Sequence, residues 1–192
     1  MRHELVIEGA AFRLRPVGDD DAAFILGLRN DPELGRFLHP TQGGLAGQQA
    51  WLDSYYARPG DYYFVVERRN NGAAEGVVSI YDIKAERGEW GRWILQAKSP
   101  AAIESAWLTY RCAFETLGLE SVYCRTVATN RSVVSFHDSC GIGKRRILER
   151  HFDLGGEKVD AVEHEVSHLD WPTLNARLGV LATLTARRLQ RD

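Results

Sequence analysis

The chain has 192 residues, 44% hydrophobic and 26% charged, the make-up of a folded chain with a sizeable core, which excludes collagen-like, low-complexity and disordered classes. Its 24 Lys and Arg stand against 26 Asp and Glu, a net charge of -2, without the strongly basic balance of a dedicated nucleic-acid binder.

In chain order, the amino terminus carries Glu4 and Glu8 where a secretory signal would need an apolar stretch, so no signal is expected. Phe12 to Val17 alternates apolar and basic residues, the period of a half-buried strand. Asp19-Asp20-Asp21 then leads into Phe24, Ile25 and Leu28, carboxylates at the positive end of a helix followed by its inner stripe. Leu45, Trp51, Leu52 and Tyr55 predict a second helix after Gly43-Gly44. Tyr62 to Glu67, Val77 to Ile83 and Trp90 to Leu95 read as strands, the first two joined by a turn at Asn70-Asn71-Gly72.

The strongest helix is expected from about Pro100 to Leu117, with Ser99 as N-cap, Pro100 at the first helical position and Gly118 as terminator. Val122 to Thr129 is a strand, Ser132 to Cys140 a short helix stopped by Gly141, and two strands flank Gly155-Gly156. Pro172 to Leu189 is an amphipathic helix. No stretch approaches the ~20 apolar residues of a membrane span, and the odd, widely spaced Cys112, Cys124 and Cys140 suit a reducing compartment. The expectation is one cytoplasmic α+β domain over residues 1–171, a mixed, mostly antiparallel sheet flanked by helices, with the helix of 172–192 packed on it or extending it.

Three segments carry candidate chemistry. His164-Glu165-Val166-Ser167-His168 satisfies the H-E-x-x-H pattern of zinc peptidases. On a helix residues four apart stand about 6 Å from each other and can share a metal, whereas on a strand they are about 13 Å apart. This segment follows a Gly-Gly turn and alternates, so it is expected on a strand, with no metal site. The loop Gln96 to Ala102 enters the long helix from a strand, and free N–H groups at such an end, with Lys98 nearby, suit a phosphate; a plain capped helix start explains the same residues. Asn130 and His137 stand two helical turns apart and could face one groove, or serve as an N-cap and a half-buried histidine.

In their order, from Phe12 to about Trp171, these segments resemble the GNAT acyltransferase superfamily, in particular its ribosomal-protein and amino-sugar N-acetyltransferase branch. The resemblance rests on Phe12-Arg13-Leu14-Arg15-Pro16, Leu28-Arg29-Asn30-Asp31-Pro32-Glu33, Gly88 to Leu95, Phe114 to Leu119, and Asn130 through Ile142, which has the spacing of N-x-x-A-x-x-x-Y-x-x-x-G-F. The family's pyrophosphate loop, Q/R-x-x-G-x-G/A, falls on Ala97 to Ala102, where Pro100 replaces a glycine and removes one N–H donor.

The resemblance implies acetyl transfer from acetyl-CoA to a primary amine, with no metal. Glu89 would be the base, and His137, in the tyrosine's place, the acid, its imidazolium donating to the thiolate. Trp93, Ile94, Leu95, Asn130 and Ser132 would hold the pantetheine arm, and Lys98, Ala101, Ala102 and Ile103 the phosphates. Arg29, Asn30, Tyr81, Trp90 and Trp93 would line an acceptor groove suited to a nucleotide-linked amino sugar, or to a peptide amino terminus. A degenerate fold kept as a non-catalytic binding module is the reading of another class. A monomer or homodimer is expected.

Overall fold

The computed structural model describes residues 2–39 and 41–191. Eight strands form one sheet in the order β1 (Ile7–Glu8), β2 (Phe12–Pro16), β3 (Tyr62–Arg68), β4 (Ala74–Lys84), β5 (Arg87–Leu95), β6 (Ser121–Val127), β8 (Glu157–Ser167), β7 (Lys144–Leu154). Every neighbouring pair is antiparallel except β5 and β6. The helices are α1 (Ala22–Asn30), α2 (Gly44–Tyr56), α3 (Ala102–Arg111), α4 (Arg131–Ser139) and α5 (Trp171–Leu189). Among the described residues no helix is long and apolar enough to cross a membrane.

The apolar run of β3 is continuous because both faces of the sheet are covered there. Phe64 and Val66 join the core under α3 and α5, with Trp90, Tyr110, Phe114, Trp171, Leu174 and Leu178. Tyr63 and Val65 face the other way, against Ile25 and Leu28 of α1 and Leu52 and Tyr55 of α2. The sequence-expected strands and helices are all present, and β1 is an addition too short to carry a periodic signal.

The long helix differs at both ends. It starts at Ala102, not Pro100, with Ala101 in the N-cap position. Ser99 N–H donates to the Gln96 carbonyl at 3.1 Å, closing a turn whose Lys98 sits at φ 63, and the residue before a proline disfavours helical geometry. At the other end Cys112–Thr116 widens into a π-turn before Gly118 at φ 65.

His164 to Ser167 lie in β8, as the alternation predicted, and the Gly155-Gly156 turn before that strand has φ 63 and φ 90. His164 is buried and bonds Asp138, while His168 lies beyond the strand and is exposed. Among the described residues no group of three or more His, Cys, Asp or Glu is placed to hold a metal ion.

Candidate active site

The site grows from an irregularity in β5. Between the pairs Ser79↔Gly91 and Val77↔Ile94, β4 advances two residues and β5 three, and Arg92 takes up the difference at φ 50. Such a bulge bends its strand and re-aims side chains. Just before it β5 leaves β6: the parallel pairing covers only Arg87, Gly88 and Glu89 against Ser121, Val122 and Tyr123. A cleft of about 310 Å³ occupies the gap, with Glu89, Tyr81, Arg92, Arg125, Asn130 and His137 in its walls. A larger hollow of about 490 Å³ near α5 offers no comparable chemistry, since its Lys144 is paired with Glu165 and its Arg177 with the Ser139 carbonyl.

Glu89 is 7% exposed at the fork. Register places Tyr81 of β4 and Tyr123 of β6 on either side of it. The Tyr81 hydroxyl donates to Oε1 at 3.2 Å, and Arg125 Nη1 donates to Oε2 at 3.2 Å. Burial pushes its carboxyl above the usual glutamate value, with Arg125 and the two tyrosines drawing it part of the way back. Arg125 cannot neutralise Glu89 fully because its Nε is spent on Glu163 at 2.9 Å. A Cβ on Gly91 would lie 2.7 Å from the Tyr81 hydroxyl oxygen, so the absence of a side chain there lets Tyr81 reach Glu89. Proximity to the fork, burial and a raised carboxyl suit a base that takes a proton from an ammonium.

His137 also reaches the cleft, but not as an imidazolium. It is 2% exposed, with Trp90, Phe136 and His164 rings at 5.3, 5.4 and 5.2 Å and Cys124 Sγ 3.6 Å from Nε2. Burial pulls it down to about 3, with His164 adding to the shift, so the ring is neutral near pH 7. The expected cationic acid is therefore corrected to a packed neutral histidine. Trp90 is corrected similarly: at 1% exposure, with Trp93, Tyr110 and His137 against it, its ring is core rather than a stacking platform.

Arg29 and Tyr81 stand in the cleft wall, whereas Asn30 is exposed at the end of α1 and outside that wall. Trp93, Ile94, Leu95, Asn130 and Ser132 come together around an adjoining hollow of about 230 Å³. At the start of α3, the Ala101 N–H is already spent on Ser99 Oγ at 3.2 Å, which removes it from the expected phosphate donors. Ala102 and Ile103 keep half-buried positions in the first turn, and Lys98 is exposed beside them. Sequence reasoning missed Arg92, Tyr123 and Arg125, whose roles come from the bulge and from cross-strand register.

Residues 12–142 match the acetyltransferase (GNAT) domain family. No protein of curated function matches the chain in sequence. Among solved structures, the apo form of FdhC, a nucleotide-linked sugar GNAT, is 27% identical over 89% of this chain and 94% of its own, with a TM-score of 0.71. A GCN5-related N-acetyltransferase from Brucella melitensis is 20% identical over 94% and 86%, at 0.78. A spermidine N-acetyltransferase SpeG variant from Vibrio cholerae is 18% identical over 85% and 97%, at 0.70. The last two share the fold. The match over residues 12–142 and the geometry of the sheet agree: the chain belongs to the GNAT acetyltransferase family.

Proposed function

We propose that the protein transfers the acetyl group of acetyl-CoA to the primary amine of a nucleotide-linked amino sugar, with Glu89 as general base. The observation that carries this reading is a buried carboxylate of raised proton affinity at the point where β5 and β6 part.

Past Glu89, among the described residues no strand pairs with β5 on its β6 side, so the backbone groups of Trp93 to Leu95 that turn away from β4 would offer the pantetheine arm the bonds of a missing strand. Asn130 and Ser132 close that hollow, and Lys98 with the Ala102 and Ile103 amides supplies the charge and donors for phosphate. Pro100 and the spent Ala101 amide leave this phosphate site with fewer donors than the family loop has.

An ammonium with a pKa near 10 is almost wholly protonated at pH 7. Glu89 takes its proton, directly or through one water, and the free amine attacks the thioester carbonyl. As the C–N bond forms the C–S bond breaks, nitrogen gives up its second proton and sulfur gains one, so one proton is released overall. With His137 neutral, the sulfur's proton comes from the nitrogen of the intermediate or from water. Arg29 in the cleft wall and the nucleotide-sugar neighbour support the choice of acceptor. Thiol release from acetyl-CoA across a panel of nucleotide-linked amino sugars, free amino sugars, peptides and polyamines tests the reading. A protein that binds acetyl-CoA in a thermal-shift experiment yet acetylates none of them would instead be a non-catalytic module.

A further inference from the structure

A second chamber of about 460 Å³, walled by α1, α2 and the sheet, adjoins the catalytic cleft, with Arg29, His39 and Arg92 standing in the walls of both. Its volume is in the range of about 300–1,000 Å³ common for small-ligand sites. Three arginines, Arg29, Arg58 and Arg92, stand in its wall; among the described residues no Asp or Glu lines it, although Asp61 pairs with Arg92. Gln48, 3% exposed, adds an amide.

The two bridging arginines are held in place before any ligand arrives. Arg29 donates from Nε to Thr41 Oγ1 at 2.8 Å and from Nη2 to the His39 carbonyl at 2.9 Å, neutral acceptors that orient the guanidinium and leave its charge intact. Arg92 is aimed by the bulge, clamped by Asp61 at 2.6 and 3.0 Å, and lies over the Tyr81 ring at 4.3 Å and the Trp51 ring at 5.2 Å. With its Nε and Nη2 on neutral acceptors, Arg29 has Nη1 placed to meet a phosphate oxygen, whereas both Nη groups of Arg92 are engaged by Asp61 and its part is to shape the wall.

Resting on the acetyltransferase reading above, we infer that this second chamber receives a phosphate or diphosphate group of the acceptor while its amine faces Glu89. The acceptor is then an amine that carries negative charge. A polyamine fits poorly, because its second ammonium would meet Arg29 and Arg58 in the wall, while the Asp61 carboxylate is already clamped on Arg92.

Titration calorimetry on enzyme saturated with CoA, which occupies the cosubstrate's own nucleotide site, tests this with uridine diphosphate and inorganic pyrophosphate as probes. At least one probe should bind, and Arg29→Met and Arg58→Met should each weaken it by about 10- to 100-fold. Arg58 is exposed, so its variant keeps the test open if Arg29→Met disturbs the fold. In steady-state assays the preference for a nucleotide-linked over an unlinked amino sugar should fall by a similar factor in Arg29→Met, and spermidine should be the poorest substrate of the wild type. Neither probe binding, unchanged binding by both variants, or preference for spermidine overturns the inference while leaving acetyl transfer intact. If CoA itself fails to bind, the acetyltransferase reading falls. Probe binding to the free enzyme, lost in Arg29→Met and kept in Lys98→Met, would then still establish the chamber, and its absence would refute it.

Discussion

Replacing Glu89 by Gln separates catalysis from packing. Glutamine keeps the shape and still accepts the Tyr81 hydroxyl, but turns one end into a donor facing Arg125 Nη1, while Arg125 Nε keeps its bond to Glu163. Loss of one Arg125 bond, worth about 1.5–3 kcal/mol, is offset by no longer holding a charge at a site where burial already raises the carboxyl. The two terms oppose, so the net stability change should stay within about 1–2 kcal/mol, a melting shift of a few degrees for a chain this long. Loss of a general base should slow turnover by about 100- to 10,000-fold, or roughly 3–5 kcal/mol of transition-state stabilisation. The pH dependence adds a second signature. Because Glu89 is raised, the wild-type fold loses stability as pH climbs from about 4.5 through the folded value, and Glu89→Gln should flatten that slope. In kcat/KM the limb that rises with pH above about 4.5, and stays put when acceptors of different amine pKa are exchanged, should vanish. Retention of that limb, or turnover within tenfold of wild type in a folded variant, refutes Glu89 as the base.

His137→Phe should keep turnover within about tenfold and preserve both pH limbs, since a neutral buried ring supplies no proton at pH 7. Its effect belongs to acid stability: neutral His137 stabilises the fold fully above pH 6.5, and that contribution drains as pH falls toward about 3, so at pH 4.5 the variant should gain about 3 kcal/mol over wild type relative to pH 7.5, read by urea denaturation. Glu104, 0% exposed, accepts the Ala11 and Phe12 N–H groups at 2.9 and 3.3 Å, so Glu104→Ala should leave both unpaired and cost about 2–4 kcal/mol, while Glu104→Gln keeps the acceptor and should melt near wild type. Lys98→Met should raise the KM for acetyl-CoA by about two- to fivefold at unchanged kcat, the scale of one exposed charge at a helix start; a null effect would place the diphosphate elsewhere.

Where periodicity or turn chemistry acts alone, the chain was readable. The alternation after Gly155-Gly156 was enough to move His164 from a zinc motif to a strand, because a period of two cannot place residues four apart on one metal. Ser99-Pro100 misled by two residues, since the left-handed Lys98 uses up the expected first turn and nothing in a lysine announces a positive φ. Glu89 was reached through family resemblance, whereas its partners Tyr123 and Arg125 depend on which residue of β6 faces which residue of β5. His137 lies in the wall of the cleft with Asn130, as helical spacing allows, but buried and neutral rather than cationic. Helical spacing locates a side chain on a face but does not tell how deeply neighbouring rings from other elements enclose it.

The bulge at Arg92 links these observations. Trp90 and Trp93 are three apart, which in a regular strand puts them on opposite faces, yet their rings meet at 5.6 Å in the core beneath α3 and α4. The extra residue reverses the alternation between them and lets Trp93 Nε1 reach Ser105 of α3 at 3.1 Å. The pairing of β5 with β6 ends at Glu89, three residues before the bulge, so the cleft opens beside Glu89. The bulge also aims a guanidinium at Tyr81, the hydroxyl that holds Glu89, and at Trp51 in the neighbouring chamber. The bulge thus stands beside three features, the parting of β5 and β6, the buried Glu89 at its edge, and the arginines of the neighbouring chamber, the parts proposed above to hold the thioester arm, take the proton and sort acceptors by charge.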